Sequence, residues 1–302
     1  MPAFLTHMVT ANRIFDQLKN ERIKSTVSSH LDAWHTGAQG GDYFYLYKYY
    51  SMWLGHTYKM FGYALHRARP QRFFVEGAEY IKKKKSDTLV AFFYGYITHY
   101  YLDMLMHPAI NAICPNAMTN HNTLEYAIDT VYAHQNGIDA VEFDRAQHVK
   151  NTFVPGNELS EFFEEMHRRL YYGFKLKPHA YQTCYAYFEK YNRKMYKPDE
   201  KQLKWMRLQN KFTMLDLFTM LYYPYDEVKD LFDYQPFFDL IEEAISRSLR
   251  LMDIVDAYFH DERDASVIAE TVFNVNFNGI PVTPREERLG FRRLYRKAKL
   301  KL

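Results

Sequence analysis

The chain has 302 residues, of which 47% are hydrophobic, 18% aromatic and 25% charged; this is enough apolar material for a large core and excludes a disordered chain. Twelve Gly and eleven Pro are too few to turn a many-stranded sandwich or barrel, so helices are the default. The net charge of +3 is uneven: residues 285–302 carry eight Lys/Arg against Glu286 and Glu287, a local +6 that leaves −3 on the rest, so the body by itself does not attract nucleic acid.

In chain order, the opening stretch MPAFLTHMVTANRIFDQL lacks both a basic segment and an uninterrupted apolar one, and no secretion signal is expected. Leu5 to Leu18 carries apolar residues near a 3.6 period; Tyr43 to Ala68 is aromatic-rich, and Gln71 to Lys84 is a shorter helix. Asp87 to His107 reads as one long buried helix closed by Pro108, followed by a non-helical link from Ala109 to Met118. Thr119 to Ala133 restarts a helix, and Asp199 to Leu221 and Gln235 to Tyr258 are later amphipathic segments. The longest strongly apolar stretch, Leu89 to Ile97, is far short of the ~20 residues that cross a bilayer. The expectation is an all-α, multi-helix single domain over residues 1–284 with a basic tail over 285–302. Soft joints are expected near 150–156, 175–177 and 274–284. Cys114 and Cys184 have no CxxC spacing and cannot form a disulfide framework, which points to a reducing, cytoplasmic setting.

The chemistry concentrates in Ile97-Thr-His-Tyr-Tyr-Leu-Asp-Met-Leu-Met-His-Pro108. His99, Asp103 and His107 stand at i, i+4 and i+8, so they line one helix face amid apolar neighbours. A buried polar stripe of that kind is costly unless something satisfies it, and a cation does so economically. His99 and Asp103 lie about 6 Å apart along the axis and can meet at one ion, whereas His107 is about 12 Å from His99 and calls for another. His121 and Glu125 repeat the i, i+4 spacing and could complete that second site. For the first ion, Asp42 after the Gly37-Ala-Gln-Gly-Gly41 turn and His56 are the nearest upstream candidates.

His7, Gly37-Ala-Gln-Gly-Gly-Asp42, His56, His99-x3-Asp103-x3-His107-Pro108 and His121-x3-Glu125 together resemble the zinc-dependent phospholipase C family, whose architecture is related to the single-strand-specific fungal zinc nucleases. The resemblance covers roughly residues 2 to 130. It implies an all-helical fold around two to three zinc ions: Asp42, His56, His99 and Asp103 on the first, His107, His121 and Glu125 on the second, and Asp103 bridging to a third that His7 also binds. In the related enzymes the mature amino terminus completes that third site, which here would require removal of Met1 before Pro2. The turn departs from the family in having Gly41 where Pro commonly precedes the Asp. Tyr43 and Trp53 stand where aromatics hold the headgroup in choline-preferring relatives.

The implied mechanism is hydrolysis of a phosphate ester, foremost a phospholipid-type or small phosphodiester, by zinc-bound hydroxide, with Asp42 and Asp103 as catalytic carboxylates. Asp129, four residues after Glu125, is either a partner that orients a ligand or a helix-surface acid. His30 and His35 flank Trp34 and read as part of a cap or interface, while His66, His134, His148, His167 and His179 lack ligand-type company at useful spacing and read as ordinary residues. Competing readings are a nuclease or phosphomonoesterase on the same cluster, which the acidic body disfavours for nucleic acid, and a non-catalytic module that docks on anionic membrane through its basic tail.

Overall fold

The computed structural model describes residues 4–51, 54–114, 118–152, 157–212 and 216–285. Among these the chain is all-α, with fourteen α-helices, two short 3-10 turns and one antiparallel bridge, Val275 with Pro281. The helices are α1 (Phe4–Gln17), α2 (Glu21–Ser29), α3 (Leu31–Ala38), α4 (His56–Arg67), α5 (Pro70–Lys84), α6 (Asp87–Ile113) and α7 (Met118–Gln135), then α8 (Arg145–Thr152), α9 (Asn157–Leu170), α10 (Ala180–Met195), α11 (Glu200–Phe212), α12 (Tyr225–Val228), α13 (Gln235–Phe259) and α14 (Ala265–Val272).

α6 is the axis of the molecule. It is apolar and aromatic on every side and nearly all of it from Leu89 to His107 is buried, as expected of a helix with no solvent face. Ser86 starts it by accepting a hydrogen bond from the Leu89 amide at 3.3 Å, and Asp87 suits the positive end of the helix dipole. Helices α1, α2, α3, α5, α7 and α13 all pack against it. The α3–α6 crossing is closest: a Cβ on Gly37 would lie 2.0 Å from the Phe92 carbonyl oxygen, and one on Gly95 would lie 2.1 Å from that of Trp34. Two glycines facing each other let the backbones touch, which brings the turn after α3 against the middle of α6. Around this axis the core is largely aromatic, with Phe73, Phe92 and Tyr96 set edge-on or stacked against neighbouring rings.

Three expectations need correction. Pro108 does not close the long helix, which runs on to Ile113. Proline removes only its own amide, whose acceptor would be the Met104 carbonyl. Gly279 of a C-terminal loop lies against both Pro108 and Met104, and beyond them the ladder resumes, with the Cys114 amide on the Ile110 carbonyl at 2.9 Å. Tyr43 to Ala68 is helical only from His56: a 3-10 turn at Asp42–Phe44 precedes it, and Gly55, with φ of +75°, opens α4. There the rings supply buried surface without a helical period. Within Asp199 to Leu221, α11 ends at Phe212, and Asp216 accepts from the Phe218 amide to start a separate 3-10 turn, Leu217–Met220. No helix among the described residues is long and apolar enough to cross a membrane. The basic tail from 286 onward, Trp53 and the first three residues lie outside the described residues.

Candidate metal centre

The i, i+4, i+8 stripe of α6 faces inward: His99, Asp103 and His107 are all buried. Neighbouring elements then converge on it. The turn after α3 brings Asp42, and it can do so because of Gly40. That residue has φ of +59°, and a Cβ there would lie 1.9 Å from the His99 ring carbon Cδ2, so only glycine lets the turn pass over the imidazole. Backbone bonds from Gly40 to Gly37 at 2.7 Å and from Asp42 to Gln39 at 3.3 Å hold the turn, so the fold does not require the proline that Gly41 replaces.

The upstream histidine that the fold brings to Asp42 and His99 is His66, not His56. On α4 the buried face is Met60, Phe61, Ala64 and Leu65, and His66 continues it. His56 is the first residue of the helix, about 15 Å away along the axis. The His66 Nδ1–H donates to the Gly62 carbonyl at 2.8 Å. Nε2 therefore points a lone pair at Asp42 Oδ1, 3.1 Å away, and lies 3.2 Å from His99 Nε2. Asp42, His66 and His99 form one group of donors within 4.8 Å of one another. His66 has no His, Cys, Asp or Glu at i±3 or i±4, so no local ligand spacing marks it; its only sequence signal is its place on the apolar face of an amphipathic helix.

α1 supplies His7. Its ring lies 4.4 Å from that of His99, and Nε2 is 3.4 Å from Asp103 Oδ1, giving a second group, His7, His99 and Asp103. Asp129 on α7 fixes the start of α1: its carboxylate accepts from the amides of Leu5 (2.7 Å) and Thr6 (2.9 Å) and from the Thr6 hydroxyl (2.5 Å). Tyr222 also donates to it, at 2.6 Å. Burial pushes the Asp129 carboxyl up to about 6 even against these donors. The residue is therefore a buried cap that orients the helix bearing His7, and the surface-acid alternative is removed.

The third group is His107 with His121 and Glu125 of α7. The His107 Nδ1–H is shared between the Asp103 carbonyl (2.9 Å) and the Phe277 carbonyl (2.8 Å), which leaves Nε2 as the free donor atom. His121 Nε2 is 2.7 Å from Glu125 Oε1 and its side chain is 20% exposed, so among the described residues solvent reaches the centre on this side.

A divalent cation fits these donors. Asp42 Oδ1 and both oxygens of Asp103 are buried without a hydrogen-bond partner among the described residues, although ring nitrogens crowd within 3.1–3.8 Å. Zinc bonds of about 2.0–2.2 Å in a tetrahedron put ligand atoms about 3.4 Å apart, which matches that spacing. Imidazole nitrogen and carboxylate oxygen without thiolate also suit zinc. Burial drives His66 down to about 4 and holds His99 and His107 well below the usual imidazole range, so all three are neutral donors near pH 7. Burial raises the carboxyls of Asp42 and Asp103, a trend that a bound cation reverses.

The sequence model of the zinc-dependent phospholipase C family matches residues 6–223, well over half of the chain. The protein belongs to that family. The match runs far beyond the first 130 residues that carry the motif resemblance, and takes in α8 to α11 and Tyr222. Neither a curated protein nor a solved structure matches the chain. Family membership and the three donor groups together support a zinc hydrolase of the phospholipase C type.

Tyr43 does not serve as the headgroup aromatic. Its ring is fully buried against Tyr181, Tyr185 and Phe188, and its hydroxyl donates to the Thr36 carbonyl. No face of it remains for a ligand. Trp53, its expected companion, lies outside the described residues.

Proposed function

We propose that this protein hydrolyses a phosphodiester of phospholipid type at the centre formed by His7, Asp42, His66, His99, Asp103, His107, His121 and Glu125. The observation that carries this reading is the convergence of three donor groups on one stretch of α6, with carboxylate oxygens buried and unsatisfied among neutral imidazoles. Zinc, when bound, supplies hydroxide near neutral pH and a positive anchor for a phosphoryl oxygen. The chain's own part is to hold donors still. His66 and His107 are locked by main-chain acceptors into the tautomer that presents Nε2. Asp42 and Asp103 concentrate negative charge in a dry site, where it attracts cations strongly. The partly exposed His121–Glu125 edge is the proposed side of substrate entry. The helical body to residue 284 is proposed as one domain, and two to three zinc ions as its complement.

The test is zinc content of the native protein together with hydrolysis of a choline phospholipid, a phosphomonoester and single-stranded DNA. The expected result is stoichiometric zinc with cleavage of the lipid diester, lost in Asp103→Asn. Folded protein that takes up no metal after zinc reconstitution overturns the reading, and preference for the monoester or for DNA replaces the substrate class.

A further inference from the structure

The segment Asn274–Val282 lies beyond the residues that the family model matches and reads in the sequence as a soft joint. It is instead tightly built. Val275 bridges Pro281, and Asn276 Oδ1 accepts from the amides of Asn278 (2.9 Å) and Ile280 (3.1 Å). The Asn276 amide returns to the Ile280 carbonyl at 3.0 Å, and the Tyr100 hydroxyl of α6 donates to the Val275 carbonyl at 2.7 Å. Gly279, with φ of +69°, sits where a Cβ would lie 2.5 Å from Pro108 Cγ and 2.8 Å from the Met104 carbonyl oxygen.

This scaffold presents Phe277 to two donor groups at once. The Phe277 amide donates to the His66 carbonyl at 3.0 Å, and its ring, 2% exposed, packs 4.7 Å from the His66 ring and 5.7 Å from that of His99. Its carbonyl accepts the His107 Nδ1–H at 2.8 Å. One residue therefore holds the backbone and one face of a histidine in the Asp42 group, and the ring direction of the histidine in the Glu125 group.

We propose that the Asn274–Val282 strap is a positioning element of the metal centre, clamping His66 and His107 through Phe277 so that both present Nε2 in register. The inference rests on the reading that these histidines hold zinc. Phe277 touches no reacting atom; it acts through the two imidazoles, as outer partners of metal-bound histidines do.

The test uses full-length protein carrying Gly279→Ala, which forces the strap off α6, or Asn276→Ala, which removes the acceptor for two strap amides. Asn276→Asp, which keeps that acceptor, is the conservative control. Zinc affinity is measured by chelator competition, and the His107 Nδ1–H proton is followed by NMR in chelated protein. The clamp predicts a zinc affinity about 10–100-fold weaker in Gly279→Ala and Asn276→Ala, with substantial recovery in Asn276→Asp. It also predicts faster exchange of the His107 ring proton without metal. Should Gly279→Ala fail to fold, Asn276→Ala carries the test. Unchanged zinc affinity and unchanged ring-proton exchange, with only a lower melting temperature, overturn the clamp and leave the strap as packing. Wild-type protein that binds no zinc overturns the metal reading instead, and the ring-proton measurement then judges the contact with His107 on its own.

Discussion

His56 and His66 stand on the same helix, yet only His66 reaches Asp42 and His99. Local spacing cannot separate them, because neither has a ligand-type residue at i+4, and proximity in sequence to Asp42 favours His56. What separates them is the buried face of α4. His66→Ala is expected to weaken zinc binding by more than the 10–100-fold typical of losing an outer partner, whereas His56→Ala leaves it within about twofold; zinc titration of both variants checks this. Equal losses would place His56 in the centre after all. By contrast, His99, Asp103 and His107 were legible directly, since an i, i+4, i+8 stripe on an apolar helix fixes a shared face before any tertiary contact is known.

At the scale of elements, the centre depends on how closely helices approach and where they begin. Gly95→Ala would drive a methyl group into the Trp34 carbonyl of α3. Overpacking of about 1–3 kcal/mol is expected, toward the upper end because the neighbour is backbone, and chemical denaturation measures it. Asp129→Ala would strip the buried amides of Leu5 and Thr6 of their acceptor. A loss of about 2–6 kcal/mol follows from two unsatisfied buried amide donors at about 1–3 kcal/mol each, read in the same way. It should come with weaker zinc binding, because α1 carries His7, while Thr6→Ser, which keeps its hydroxyl, should stay near wild type. The existence of α1, α5, α6, α7 and α13 was legible from periodicity. The run of α6 through Pro108 was not, because a loop far along the sequence lies over the carbonyl that proline leaves unpaired.

At the scale of the whole molecule, the histidines outside the centre give the fold its own acid limit. His35 of α3 and His148 of α8 lie ring to ring at 5.2 Å, and His148 also meets Phe4 at the start of α1. Burial lowers both to about 4 from an ordinary 6.5. Folded protein thus binds fewer protons there than the unfolded chain, so stability rises with pH across that window. It is fully present above pH 6.5 and is lost progressively as pH falls toward about 4. Thermal melts across this range should show a smaller acid loss in His35→Gln and His148→Gln than in wild type, and parallel curves would count against it. Composition, helical period and the spacing of His99, Asp103, His107, His121 and Glu125 determined by themselves an all-helical chain with a metal-type stripe, because those features act within one helix or across one turn. Tertiary structure alone decided that His66 rather than His56 reaches Asp42 and His99, that Tyr43 is sealed in the core, that Asp129 caps α1 and that the C-terminal strap grips two histidines. Each of these depends on which surfaces meet after the helices pack, and neither residue type nor local spacing encodes that meeting.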